Sequence, residues 1–234
     1  SGIAFLVEKV GQVLCEPGDI VLIPKPCYGR FEPDLQPCQC IVEYIDLDNL
    51  PAAPPAKARL LILTNPGNPV GDIIENQGEL LEWAYQNPDM HIVSDDVYAL
   101  SNRKGEDYVS IAAHPKADPM KVHHFYGVSK DWGLAGLHVG FFWTKNKEFF
   151  NMMRLASGCF QLGSDTVQIL TRIFSDIPLR DKMIAEFRKR LTILYDKTVA
   201  LLEENGFEVN HCDNSLFVMI NLTDIAGTPE KELE

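Results

Sequence analysis

A chain of 234 residues, 46% of them hydrophobic, is long enough to bury a sizeable core as one large domain, or as one domain with part of a second. Its formal charge of −12 and pI near 4.9 exclude the basic footprint that nucleic acid or an anionic membrane surface requires, and no basic run offsets them. No stretch approaches the roughly 18 apolar residues of a membrane span, so small molecules or proteins are the expected partners. Six scattered cysteines include no Cys-x-x-Cys pair and follow no secretory apolar stretch, which points to a reducing compartment and a cytoplasmic location. Cys38 and Cys40, two apart, would share one face of a strand as a partly buried thiol pair, while His123 and His124 would point to opposite faces. No metal site is expected from either pair. The chain opens at Ser1-Gly2 without a methionine, as a fragment or a processed chain would.

Apolar, β-branched runs of strand length recur at 19–24, 40–47, 59–64, 91–95, 121–129 and 137–144. Helix-like stretches such as "ENQGELLEWAYQ" (75–86) lie between several of them, and this alternation predicts an α/β fold, three layers α/β/α around a mostly parallel sheet. The unbroken hydrophobicity of 59–64 and 91–95 predicts burial on both faces. "PAAPPAKA" (51–58) reads as a loop. From about Leu179 the pattern becomes that of a long amphipathic helix, with Met183, Phe187, Leu191, Leu194 and Val199 on one stripe and Gly206 closing it. "FEVNHC" and "SLFVMINL" follow as two strands of a small, incomplete α+β module. A large domain over 1–190 and the start of a second over 191–234 are therefore expected.

Four stretches fall at the ends of predicted strands, where open α/β sheets place their ligands. "TNPGNPVG" (64–71) is a tight loop whose Asn68 offers an amide, although a structural turn would look the same. In "VSDDVYAL" (93–100) Asp95 ends a buried strand and must be paired, either by capping the next helix or by a cationic ring nitrogen; Asp96 is the better cap. Lys130 stands among apolar and small residues, where desolvation would lower its pKa and make the amine a nucleophile and proton carrier; a surface lysine is the plainer alternative. Tyr28, in "KPCYGRF" (25–31), could stack on a flat ligand or simply pack.

Taken together and in this order, "TNPGNPVG", "SDDVYA" and "GVSKDWGLAGLHVG" resemble the fold-type-I pyridoxal-phosphate enzymes of aminotransferase class I/II. Within that family the chain is most similar to the branch of 1-aminocyclopropane-1-carboxylate synthases. "DYVSIA" (107–112) and "CEPGDIVLIPKPCYGRF" (15–31) support the resemblance, which runs from Ser1 to about Asp224. It implies that pyridoxal 5′-phosphate is the cofactor and that residues 1–190 form the domain binding it. It further implies that Lys130 forms the internal aldimine and then takes the proton leaving the substrate Cα. Asp95 would keep the pyridine nitrogen protonated, Asn68 and Tyr98 would hydrogen-bond the phenolic oxygen, and Tyr28 would stack on the ring.

The phosphate end departs from the family pattern. The family's serine three residues before the lysine is Gly127 here, its arginine eight residues after is His138, and its early Ser or Thr is Ala4. Backbone amides of Ile3 and Ala4 at a helix N-terminus, with Ser129 or Ser1, would remain to hold the phosphate. Losing one charge-assisted contact would cost about 1.5 to 3 kcal/mol. The resemblance also places the substrate-carboxylate arginine beyond the 214–222 stretch and implies a homodimer acting on an amino acid, by transamination or by elimination. A catalytically impaired or non-catalytic homologue with a structural or interaction role is the alternative, motivated by Gly127, His138 and Ala4. A nicotinamide-binding domain is a poorer one, since no G-x-G-x-x-G follows the early strands.

Overall fold

The computed structural model describes residues 2–105 and 108–222. Its centre is a six-stranded sheet of order β2-β1-β3-β4-β5-β6, with β1 Ile20–Pro24, β2 Ile41–Ile45, β3 Ala58–Thr64, β4 His91–Asp95, β5 Val122–Gly127 and β6 Gly140–Trp143. The pairs along β2-β1-β3-β4-β5 are parallel, and only β6 runs antiparallel to its neighbour.

Burial on both faces explains the unbroken apolar strands. Val21, Ile23, Leu60, Ile62, Val93 and Phe125 pack on one side under α1 (Gly2–Leu14), α2 (Phe31–Leu35) and α4 (Lys147–Ala156). Leu22, Leu61, Leu63 and Ile92 pack on the other against Leu80, Leu81 and Trp83 of α3 (Gln77–Ala84). Each such aliphatic side chain contributes about 1.5 to 3 kcal/mol, so β3, with Leu60 to Leu63 almost fully buried, is the strand the fold can least lose. The architecture is thus the expected α/β/α layering.

Two glycines let α1 lie close on the sheet. A Cβ at Gly140 would stand 2.9 Å from the carbonyl carbon of Gly2, and one at Gly127 would stand 3.3 Å from Ile3 Cγ1. The first turn of α1 is therefore seated at the junction of β5 and β6.

Beyond the sheet, α5 (Ser164–Ser175) precedes α6 (Ile177–Glu204), which Asp176 caps by accepting a hydrogen bond from Leu179 N–H at 3.1 Å. Gly206 follows in a left-handed conformation (φ +82°), where a helix C-terminus favours glycine. Its apolar stripe is only partly covered: Val199 is buried, but Leu194 is 64% exposed. The two strands after it are shorter than their sequence patterns, β7 at Glu208–Asn210 and β8 at Met219–Asn221, because residues 211–217 are drawn to residues 101–103 instead of pairing.

That attachment is dense. Ser215 N–H donates to Ser101 Oγ at 2.7 Å, Asn102 Nδ2 donates to Asn214 Oδ1 at 3.0 Å, and Arg103 donates to the carbonyls of Cys212 and Ser215. Arg103 also lies 3.5 Å from the centre of the Tyr195 ring on α6. Ser215 itself is fully buried with φ +68°.

The expected strand pair of thiols is corrected. Cys38 ends a short 3-10 turn (Gln36–Cys38) with its Sγ on the Glu8 carbonyl, and Cys40 lies in the loop before β2. His123 and His124 do point apart: His123 meets His91 at 2.8 Å on the α4 side, and His124 faces Asp96.

Candidate active site

Three loops leave the C-terminal ends of three adjacent strands, β3, β4 and β5. Thr64 pairs with Asp95 and Asp95 with Phe125, so the loops begin side by side. Asn65 N–H donates to the Asp95 carbonyl at 3.1 Å and Asp96 N–H to the Phe125 carbonyl at 3.0 Å, which continues the ladder into the loops.

The loop after β3 folds back on itself, with Gly67 N–H donating to the Asp72 carbonyl at 2.8 Å and Ile74 N–H to Asn65 Oδ1 at 3.0 Å. This turn presents Asn68, whose Nδ2 donates to Tyr98 Oη at 3.2 Å. Tyr98 is buried, and Phe217 packs edge-on against it with ring centres 5.2 Å apart. Asn68 and Tyr98, thirty residues apart in sequence, are therefore brought together as a pair.

Asp95 is 4% exposed. Its Oδ1 has no hydrogen-bond partner among the described residues. Burial, and then the neighbouring Asp96, raise its pKa from 3.8 to about 7, opposed first by a hydrogen bond from the Val97 backbone, then by His124 and last by Lys130. A buried acid with an unpartnered oxygen suits a cationic partner, and a protonated ring nitrogen has the right charge. The burial of Tyr98 and the field of Asp95 likewise raise the Tyr98 phenol, with a smaller contribution from Tyr28. Asn68, Tyr98, Asp95, Lys130 and Tyr28 thus share one neighbourhood.

Lys130 itself departs from expectation. It is exposed, not walled in by apolar side chains. Tyr28 is also open, 44% exposed with Phe31 edge-on beside it at 5.7 Å, which leaves a ring face free to stack.

At the far end, His138 is exposed in a left-handed conformation (φ +52°) after a 3-10 turn, Ala135–Leu137. A Cβ on Gly2 would lie 4.0 Å from its backbone, so His138 abuts the N-terminal turn of α1 that carries Ile3 and Ala4. Ala4 is exposed there, and Ser129 is half-buried next to Lys130; Ser1 lies outside the described residues. No described side chain at this end carries the fixed charge of an arginine.

Asp96 is not a helix cap, because a turn (97–100) and no helix follows β4. It is fully buried, accepts from Ser94 Oγ, and lies 3.0 Å from His124 Nε2 in poor hydrogen-bond alignment. The sequence reading also passed over Asp131, Phe217 and the 211–217 attachment; only the adjacency of Asp131 to Lys130 could have flagged any of them.

A cavity of about 720 Å³ opens on the Asn68 side, between the 67–72 turn, the 25–27 loop and residues 211–214. Neither Asp95 nor Lys130 lines it, so it is a neighbour of the site and not its floor. No described helix is long and apolar enough to cross a membrane.

Residues 1–232 match the family described as aminotransferase class I and II. The chain is 29% identical to 1-aminocyclopropane-1-carboxylate synthase 5 of Oryza sativa subsp. japonica, covering 92% of this chain and 45% of that protein. It is 28% identical to the probable inactive 1-aminocyclopropane-1-carboxylate synthase-like protein 2 of Mus musculus, covering 95% and 43%. The chain spans less than half the length of these two relatives. Among solved structures, YbdL of Escherichia coli, for which a methionine aminotransferase function was identified, superposes with a TM-score of 0.85 at 18% identity, over 99% of this chain and 63% of that one. A Thermus thermophilus aspartate aminotransferase mutant gives 0.85 at 16% identity, over 98% and 66%. At such identities the two structures establish the fold alone.

Proposed function

Because the chain belongs to the aminotransferase class I and II family, whose enzymes depend on pyridoxal 5′-phosphate, we propose that it is the cofactor-binding part of an enzyme that acts on an amino acid through Lys130. The observation that carries this reading is the buried, unpartnered Oδ1 of Asp95, set beside the Asn68–Tyr98 pair and within electrostatic reach of Lys130. These residues fit the cofactor. When bound, it supplies an electron sink for carbanion chemistry at the substrate Cα.

The roles follow from the chemistry of each group. Asp95 holds a proton on the ring nitrogen, since a buried anion opposite a cation is stable where an unpaired one is not. Asn68 and Tyr98 donate to the phenolic oxygen. Tyr28 covers one ring face and excludes water. Lys130 would bond the cofactor through Nζ, and its amine, once displaced by the substrate amine, would accept the Cα proton as general base. Ile3 and Ala4 backbone amides, Ser129 and His138 hold the phosphate. Transamination or elimination, a homodimer in the full-length protein, and a domain division near residue 190 within α6 belong to the same proposal.

A second reading, a homologue with impaired or lost catalysis, is favoured by one observation: a glycine and a histidine stand at the phosphate end. Titration with pyridoxal phosphate, followed by visible absorbance, separates the two. The enzyme reading predicts a saturable band that Lys130→Ala abolishes and that appears at lower cofactor concentration in His138→Arg. Absence of a band in both the parent chain and His138→Arg supports the second reading and contradicts the first.

A further inference from the structure

Asp131 follows Lys130 directly and is 1% exposed, yet no role above uses it. Its Oδ2 accepts from Leu100 N–H at 2.9 Å and from Tyr126 OH at 3.0 Å; Tyr126 Oη in turn accepts from Trp132 Nε1 at 2.9 Å. Leu100 lies two residues after Tyr98, and its carbonyl accepts from Arg188 Nε of α6 at 2.8 Å. Leu100 is therefore gripped at both ends, its amide by the loop that carries Lys130 and its carbonyl by the helix leading to the β7-β8 hairpin.

The stretch from 127 to 140 contains Gly127, Gly133, Gly136 and Gly140, so its backbone has more freedom to lose than an ordinary loop. Lys130 is exposed, and the backbone bonds nearby, Gly133 N–H to the Lys130 carbonyl and Leu134 N–H to the Val128 carbonyl, are internal to the loop. Side chains anchor the loop to its neighbours: Trp132 packs edge-on against Phe174 of α5 at 5.0 Å, and Asp131 makes the polar tie to Leu100. Burying a carboxyl here costs free energy, which the two hydrogen bonds offset only in part.

We propose that Asp131 is a positioning residue: by holding Leu100 N–H and Tyr126 OH it fixes the Lys130 loop against the Tyr98 turn, keeping the lysine in register with the Asn68–Tyr98 pair. The inference rests on the reading of Lys130 as the cofactor lysine. Burial raises the Asp131 carboxyl to about 7, so its neutral form is well populated at neutral pH and asparagine is a fair isostere.

The test is borohydride trapping of sub-saturating pyridoxal phosphate on the full chain, with peptide mapping to give the label on Lys130 relative to the other lysines. The parent chain concentrates label on Lys130. Asp131→Ala lowers that ratio about ten-fold or more, the scale of a misplaced reacting group, with far-UV circular dichroism unchanged. Asp131→Asn, whose amide oxygen accepts the same two hydrogen bonds, restores it. An unchanged ratio in Asp131→Ala, or an equal loss in Asp131→Asn, overturns the inference while the functional reading stands. Should Asp131→Ala not fold, Tyr126→Phe removes one of the two donors: a lowered ratio supports the inference and an unchanged one overturns it. A parent chain with no preference for Lys130 sinks the functional reading and this inference with it.

Discussion

Replacing Asp95 by asparagine should make the cofactor-free chain more stable while depriving it of cofactor. The rise of the Asp95 pKa from 3.8 to about 7 is worth about 4 kcal/mol. Because the folded value lies above the unfolded one, the folded chain keeps a proton that the unfolded chain has released between about pH 4 and pH 7. Stability therefore falls as pH rises through that window and levels off above it. An asparagine side chain has no such proton to lose. With relaxation around the site taken into account, Asp95→Asn gains about 2 to 4 kcal/mol at pH 8 and nothing at pH 4. Asp131 titrates in the same range but is common to both chains and cancels from the difference. Urea unfolding at the two pH values, without cofactor, gives the comparison directly. Equal stabilities at pH 8, or a less stable variant, would refute the claim that Asp95 is a buried acid awaiting a cation. With pyridoxal phosphate present the order should reverse, since only the aspartate gains from the ring cation.

Acid should destabilise the chain through His123, which burial holds down to about 3 from 6.5. Stability from keeping it neutral is complete above pH 6.5 and is lost as pH falls toward 3, about 2 kcal/mol by pH 5. His123→Phe should narrow the difference between urea midpoints at pH 7 and pH 5; an unchanged difference would show that His123 does not carry it. Gly140→Ala should push the first turn of α1 off the sheet, since its Cβ would meet Gly2 backbone at 2.9 Å and Leu6 Cδ1 at 3.0 Å. The expected cost is about 1 to 3 kcal/mol, read as a lower melting temperature, together with weaker pyridoxal phosphate binding through the displaced Ile3 and Ala4 amides.

The sheet was legible because its strands are buried on both faces, which leaves continuous runs such as Leu60 to Leu63 that few other structures accommodate. The loops were legible for a related reason: Asn68, Asp95 and Lys130 fall where those runs stop. What escaped depends on contacts between distant segments. Asp131 reads as an ordinary acid until Leu100 and Tyr126 are seen on it. Ser215 reads as a strand residue, yet its φ of +68° and its bond to Ser101 take 211–217 out of the hairpin. Asp96 looked like a cap only while a helix was expected after β4, and the exposure of Lys130 cannot be inferred from the small residues beside it, because small neighbours leave a side chain open as readily as they enclose it. The helices α4 and α5 went unread in the sequence, although α4 buries Phe149 and Met153 at helical spacing.

The central claim is that Lys130 bonds pyridoxal phosphate in the site formed by Asn68, Asp95 and Tyr98. Saturating the chain with the cofactor, reducing it with borohydride and mapping the modified peptide tests that claim most directly. The account predicts one dominant label, on Lys130, and its loss from the Asp95→Asn chain at limiting cofactor. Label spread evenly over the surface lysines, or a dominant label on any lysine but Lys130, would contradict it.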